Sequence, residues 1–339
     1  MSKKPWFVVV SLALLGGVPA ARGDGAGSPA PVPTPIPTPT PIPTPTPPPA
    51  PSPPAFPPTD VGPMPGRPAG DGRWSPIAAP AEQDAGPPVM FKTVLHPDAA
   101  RAGVELFVVA IDLARVRLTS VAGASDPESE LAAARSYVRP AVIPAAQHAA
   151  LLGAFNGGWK ADHGHFGMKV DGVTLLAPRD ASCTVAGYDD ETIRIGPWPD
   201  LVATEPKMRF YRQTPACFYT RGVRHAGLAA EQTTNWGAAA DASPIIRRSA
   251  IGVDERGKTL FVGMANAMTA PAIAAGMRHL GAYDIAELDV NWSFPKFLVF
   301  HANAAGDLEA DTLFPGFVFD KAEYVKKRSA RDFFYLTRR

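Results

Sequence analysis

Ser249-Ala250-Ile251-Gly252-Val253-Asp254, Glu255-Arg256-Gly257-Lys258, Thr259-Leu260-Phe261-Val262-Gly263-Met264-Ala265: residues 249–265 are two apolar runs of strand length around a short polar segment that contains a glycine. Short apolar runs bounded by turn residues read as strands, and a short glycine-containing loop between two of them reads as an antiparallel hairpin. The same pattern extends outward in both directions. Upstream, Val104 to Ile111 and Arg115 to Val121 read as strands, the second with clear alternation, and shorter strands are expected at 166–170, 173–177, 192–195 and 208–212. Downstream, Ile285 to Val290, Phe297 to His301 and Phe333 to Thr337 read as strands. Helices are expected at Ala145 to Leu152 and at Ala270 to Leu280, with Gly281 at the C-terminus of the second. Many short strands with a few peripheral helices define an α+β domain of mixed, mainly antiparallel strands, and argue against a doubly wound sheet.

The chain ahead of this domain is different in kind. Of the 39 prolines in the whole sequence, most precede Met90. Lys3 and Lys4, an apolar run from Trp6 to Val18, and Val18-Pro19-Ala20 have the form of a signal peptide cleaved after Ala20. That run is shorter than the roughly 20 residues a membrane-spanning helix needs, so no transmembrane segment is expected in the mature chain. From Ser28 to Pro58 there is no charged residue, and Pro-Ile-Pro-Thr-Pro-Thr occurs in tandem at 35–40 and 41–46. Alternate prolines fix φ and remove backbone donors, so an extended tether is expected there, with a disordered Pro/Thr-rich linker over 21–89 as a whole. The expected division is therefore a signal peptide at 1–20, this linker, and a single domain at 90–339. A net charge of +1 gives no electrostatic footprint for nucleic acid. Export to a periplasmic, cell-surface or secreted location would permit a disulfide between Cys183 and Cys217, the only cysteines. The sequence leaves that bridge and two buried thiols equally open.

Three segments taken in order point to a family: Ala154-Phe155-Asn156-Gly157-Gly158-Trp159, then Arg248-Ser249-Ala250-Ile251-Gly252-Val253-Asp254, then Glu287-Leu288-Asp289-Val290-Asn291-Trp292-Ser293. Together with Gly167-Met168-Lys169-Val170-Asp171-Gly172 they resemble the phosphodiester glycosidase family, from about Val104 to the C-terminus. In that family the third segment is an Asn-Leu-Asp-Gly-Gly-Gly-Ser loop. Here Glu287 replaces the Asn, and Val290, Asn291 and Trp292 replace the glycines. Side chains at those positions obstruct the backbone approach by which consecutive glycines cradle an anion.

The resemblance implies an exported hydrolase of a sugar-1-phosphodiester in the cell envelope, with Asp289 as base or nucleophile and Arg248 as a phosphate clamp. Asn156, with the backbone of Gly157 and Gly158, would orient the sugar phosphate. His165, Glu287, Asn291 and Trp292 complete the expected substrate site. Strand alternation would put Glu287, Asp289 and Asn291 on one face and turn Arg247 away from Arg248. Each residue also has a plainer account: a solvated sheet face or turn cap for the carboxylates, an ion pair for Arg248, an Asn-Gly turn for Asn156. Trp159, Trp236 and Trp292 could stack on a sugar or fill core positions. His163 and His165 flank Gly164 at a spacing that two metal ligands could use, but no third ligand is near in sequence, and neither metal nor cofactor is expected. Lys326-Lys327-Arg328 lies in a basic stretch, Asp320 to Arg339, read as a solvated helix leading into the last strand. The alternative to an enzyme is a non-catalytic protein that keeps the fold and binds an envelope polysaccharide or teichoic-acid-like polymer. The expected partner under either reading is a carbohydrate or sugar-phosphate polymer.

Overall fold

A computed structural model describes residues 56–78 and 86–339. The expected signal peptide at 1–20 and the tandem hexads of the expected tether lie outside the described residues. What is described is α+β, with strands in three sheets joined by antiparallel pairing. The hairpin at 249–265 forms as read: strand Ile246–Val253 pairs with Thr259–Met268 at the centre of the largest, eight-stranded sheet. Leu106–Asp112 and Met90–Leu95 extend that sheet on one side, and Asp284–Glu287 on the other. A second sheet runs Val173–Leu176, Met168–Val170, Met208–Thr214, Cys183–Tyr188, Ile193–Pro197. The third runs Leu308–Thr312, Phe297–Ala302, Leu151–Asn156, Phe333–Arg338, Val116–Val121.

The uninterrupted apolar run Leu106–Ile111 reflects burial of the large sheet on both faces. Alternate residues point to opposite faces of a strand. On one face Val109, Ile111, Ile251 and Val262 meet Val185 and Phe210 of the second sheet and Phe155 and Phe334 of the third. On the other, Val108, Ala250 and Phe261 meet Ile273 and Met277 of the helix Ala270–His279. That helix starts where the Thr269 hydroxyl accepts from the Ala272 N–H at 3.4 Å, and stops at Gly281 with φ +101°.

Several expectations are corrected. Residues 145–152 form a 3-10 helix over Ala145–Ala150 only, because Leu151 and Leu152 are drawn into the strand Leu151–Asn156. No helix precedes the last strand. Buried Tyr324, at φ 65°, instead stacks on Phe333 with ring centroids 4.0 Å apart, and this anchors the basic stretch as turns. Residues 56–78 are not loose linker. Phe56, Val61 and Trp74 pack against the core beside the helix, Ile77 is buried, and Ser75–Pro76 pairs with the strand Met90–Leu95. The prolines there do bar regular structure, but Asp71 ties the segment down by accepting from the His96 backbone N–H at 2.8 Å. Cys183 and Cys217 are joined in a disulfide. Among the described residues, no helix is long and apolar enough to cross a membrane.

Candidate active site

The strand Asp284–Glu287 ends one residue before the backbone changes partner. The Leu288 N–H donates to the Ser249 carbonyl at 2.8 Å, whereas the Asp289 N–H donates to Gly157 at 3.1 Å. This switch breaks the alternation expected for Glu287, Asp289 and Asn291. Glu287 turns toward the helix layer, and Asp289 turns into a cleft of about 710 Å³. Asp289, Asn291, Trp292, Trp159, His163, Arg247 and Asn266 contribute to the cleft wall.

The Asp289 carboxylate is held at both oxygens. Oδ1 accepts from the backbone N–H groups of Val290 at 2.8 Å and Asn291 at 3.1 Å, and Oδ2 is ion-paired with Nη1 of Arg331. Burial pushes the Asp289 carboxyl above its ordinary range; Arg331 and the two N–H groups pull it down, and nearby Asp332 pushes it up. Arg331 in turn donates to the Gly158 carbonyl at 3.2 Å and lies over the Phe294 ring, 4.2 Å from its centroid.

Behind Asp289, the Asn156-Gly157-Gly158 turn is built around a second ion pair. Asp332 accepts from Nε of Arg212 at 2.8 Å and from the Gly158 N–H at 3.0 Å, and its carbonyl accepts from the Gly157 N–H at 3.0 Å. Arg212 and Asp332 are fully buried. All five guanidinium N–H groups of Arg212 find acceptors: twice Asp332, and the carbonyls of Phe166, Gln213 and Trp159. Asn156, also buried, donates to Ser249 Oγ at 2.8 Å and to the Gly157 carbonyl, and accepts from the Lys296 N–H. Ser249 Oγ then donates to the Asp289 carbonyl at 2.7 Å. Asn156 and the two glycines therefore do not line the cleft; they hold the backbone that carries Asp289.

Arg248 is not a clamp. It is fully buried, and its five N–H groups go to the carbonyls of Met268, Trp236, Gly237 and Pro244 and to Oε1 of Glu287, at 2.5–3.2 Å. Glu287 is equally buried, so neither meets a ligand. Burial pushes the Glu287 carboxyl up to about 8 against the pull of Arg248, and the Asp289 charge adds to the rise. The cation that faces the cleft is its neighbour Arg247. Trp236 is a core residue whose Nε1–H donates to the Ala216 carbonyl at 2.6 Å. Trp159 anchors its own Nε1–H on the Leu288 carbonyl at 2.9 Å, while Trp292 is 64% exposed with the Arg247 guanidinium against its ring. His163 lines the Asp289 cleft, but His165 lines a separate cleft of about 670 Å³ with Arg179 and Asp162, so the two imidazoles do not share one. Among the described residues no group of three or more His, Cys, Asp or Glu is placed to hold a metal ion.

No family model matches the chain, and no curated protein matches it in sequence. Solved structures similar to it include the catalytic domain of zebrafish N-acetylglucosamine-1-phosphodiester alpha-N-acetylglucosaminidase, at 14% identity and TM-score 0.47 over 78% of this chain and 88% of that one. A hypothetical protein from Synechocystis is similar at 11% identity and TM-score 0.44, over 75% and 64% of the two chains. A third is described as an exported protein of Burkholderia pseudomallei, at 13% identity and TM-score 0.30 over 71% and 76%. These are weak likenesses of fold.

Proposed function

We propose that the protein is an exported hydrolase of sugar-1-phosphodiesters that acts in the Asp289 cleft. The observation that carries this reading is the state of Asp289: a carboxylate clamped at both oxygens, raised by burial, and facing a cleft walled by Trp159 and Trp292. A carboxylate made more basic by burial serves as a general base, and tryptophan faces suit the apolar side of a sugar ring. Arg331 fixes the carboxylate so that little reorganisation is left for the reaction itself. A phosphate leaves the anomeric carbon without strong acid assistance, so one well-placed carboxylate suffices where an ordinary glycosidase uses two. Export is supported by the signal-like N-terminus and by the Cys183–Cys217 disulfide. The natural substrate on this reading is a sugar-phosphate polymer of the cell envelope.

A second reading has an observation in its favour. Asn156 and Arg248 are consumed by internal hydrogen bonds, and Trp292 stands exposed on the loop where the family has glycine. A binding protein for an envelope polymer would keep this cleft and lack turnover. Incubating the purified protein with a glucosyl-1-phosphate methyl diester and measuring release of methyl phosphate separates the two; release supports the hydrolase.

A further inference from the structure

Arg247 is the side chain in the cleft that the fold leaves least satisfied. It is 2% exposed. Its Nη1 and Nη2 donate to the carbonyls of Trp292 at 2.7 Å and Gly316 at 2.8 Å, and its Nε–H is buried without an acceptor. The guanidinium carbon lies 3.9 Å from the Trp292 ring centroid and 4.8 Å from that of Phe317. No carboxylate among the described residues pairs with it, and burial alone drives its pKa down. The other deeply buried arginines each have an acid: Arg212 has Asp332, Arg248 has Glu287 and Arg331 has Asp289. A buried cation without a counter-ion is expensive, and proteins keep one where a ligand supplies the missing charge.

Its position is set by a bulge. Ile246 pairs with Met268 and Arg248 with Ala265, so Arg247 alone faces both Asn266 and Ala267. Bulges of this kind re-aim a side chain and occur beside active sites. Asn266 lies on the same wall, and its Oδ1 is a second buried polar atom without a partner. An amide carbonyl there accepts from a ligand hydroxyl; a guanidinium with three unspent N–H groups, out of five, takes an anionic oxygen.

We infer that Arg247 is the anion receptor of the cleft, and that with Asn266 it forms a subsite for a sugar bearing a phosphate ester, Arg247 on the phosphate and Asn266 on a hydroxyl. This rests on the Asp289 cleft being the binding site and specifies which end of it holds the charge.

The test is calorimetric titration of the full-length mature protein at low ionic strength with glucose 1-phosphate and with neutral methyl glucoside. Wild type should prefer the phosphate ester by about tenfold or more, the scale of a hydrogen bond to a charged group. Arg247→Gln should erase that preference and Arg247→Lys should retain part of it. Asn266→Asp, which gives the guanidinium an internal counter-ion, should erase it while the unfolding midpoint holds or rises. An unchanged preference in folded Arg247→Gln, or in Asn266→Asp if Arg247→Gln does not fold, overturns the inference; so does a wild type with no preference. The hydrolase reading fails separately: an Arg247-dependent preference without turnover removes catalysis and leaves this subsite, whereas phosphodiester turnover indifferent to Arg247→Gln removes the subsite and leaves catalysis.

Discussion

A β-carbon on Gly157 would stand 2.0 Å from Oδ2 of Asp332, the carboxylate that also binds Arg212 and the Gly158 N–H. The Asn-Gly-Gly motif thus answers to a buried ion pair whose acid, Asp332, comes from the far end of the chain. Gly157→Ala is expected to destabilise the domain by about 4 kcal/mol or more, because it must displace a carboxylate whose partner Arg212 would remain buried and charged. Thermal unfolding checks this, with Gly103→Ala as the control, since nothing lies within 4 Å of a β-carbon there. Equal midpoints for the two variants would contradict the packing described.

Glu287 sets a pH dependence with a definite sign. Folding raises its carboxyl from 4.5 to about 8, chiefly by burial, so its proton leaves at higher pH in the folded state than in the unfolded one. Asp126, Asp284 and Asp289 are raised in the same direction, each mainly by burial. The contribution of such groups is fully present below their unfolded values and is lost as pH rises through their folded ones. The urea midpoint should therefore be higher near pH 5 than near pH 8. Glu287→Gln should shrink the difference, because the amide carries no titrating proton.

Cys183 and Cys217 are 34 residues apart, and their bridge ties the strand Cys183–Tyr188 to the segment entering Tyr219–Thr220. Closing a loop of that length in the unfolded chain is worth about 3–4 kcal/mol. The Cys183→Ser, Cys217→Ser double variant should lose stability on that scale in denaturant unfolding. Added reductant should lower the wild-type midpoint and leave the double variant unmoved.

The hairpin at 249–265, the outer strands and the helix before Gly281 were legible because apolar period, turn residues and caps agree there. Residues 145–152 misled because their alanines read helically while Leu151 and Leu152 are needed by a sheet. The site was legible only in part. Asp289, Asn291 and Trp292 do face the cleft, but two local irregularities decide the rest. A strand end at Glu287 separates it from Asp289, and a bulge at Asn266 and Ala267, opposite Arg247, aims Arg247 at the cleft wall while Arg248 turns to the other face. Neither event has a signature in residue type. Arg331 and Asp332 carried no local signal at all: they reach Gly158 from 173 and 174 positions away.

The proposed role of Asp289 in cleaving a sugar-1-phosphodiester is probed by Asp289→Asn, because the change is nearly isosteric and keeps acceptance from the Val290 and Asn291 N–H groups possible. Initial rates of methyl phosphate release from a glucosyl-1-phosphate methyl diester should be measured for both proteins, with unfolding midpoints recorded alongside. Wild type is expected to turn over, and Asp289→Asn to lose about 10²–10⁴-fold in kcat, the usual worth of a positioned general base, with KM little changed. A folded Asp289→Asn variant with wild-type kcat would rule out Asp289 as the general base.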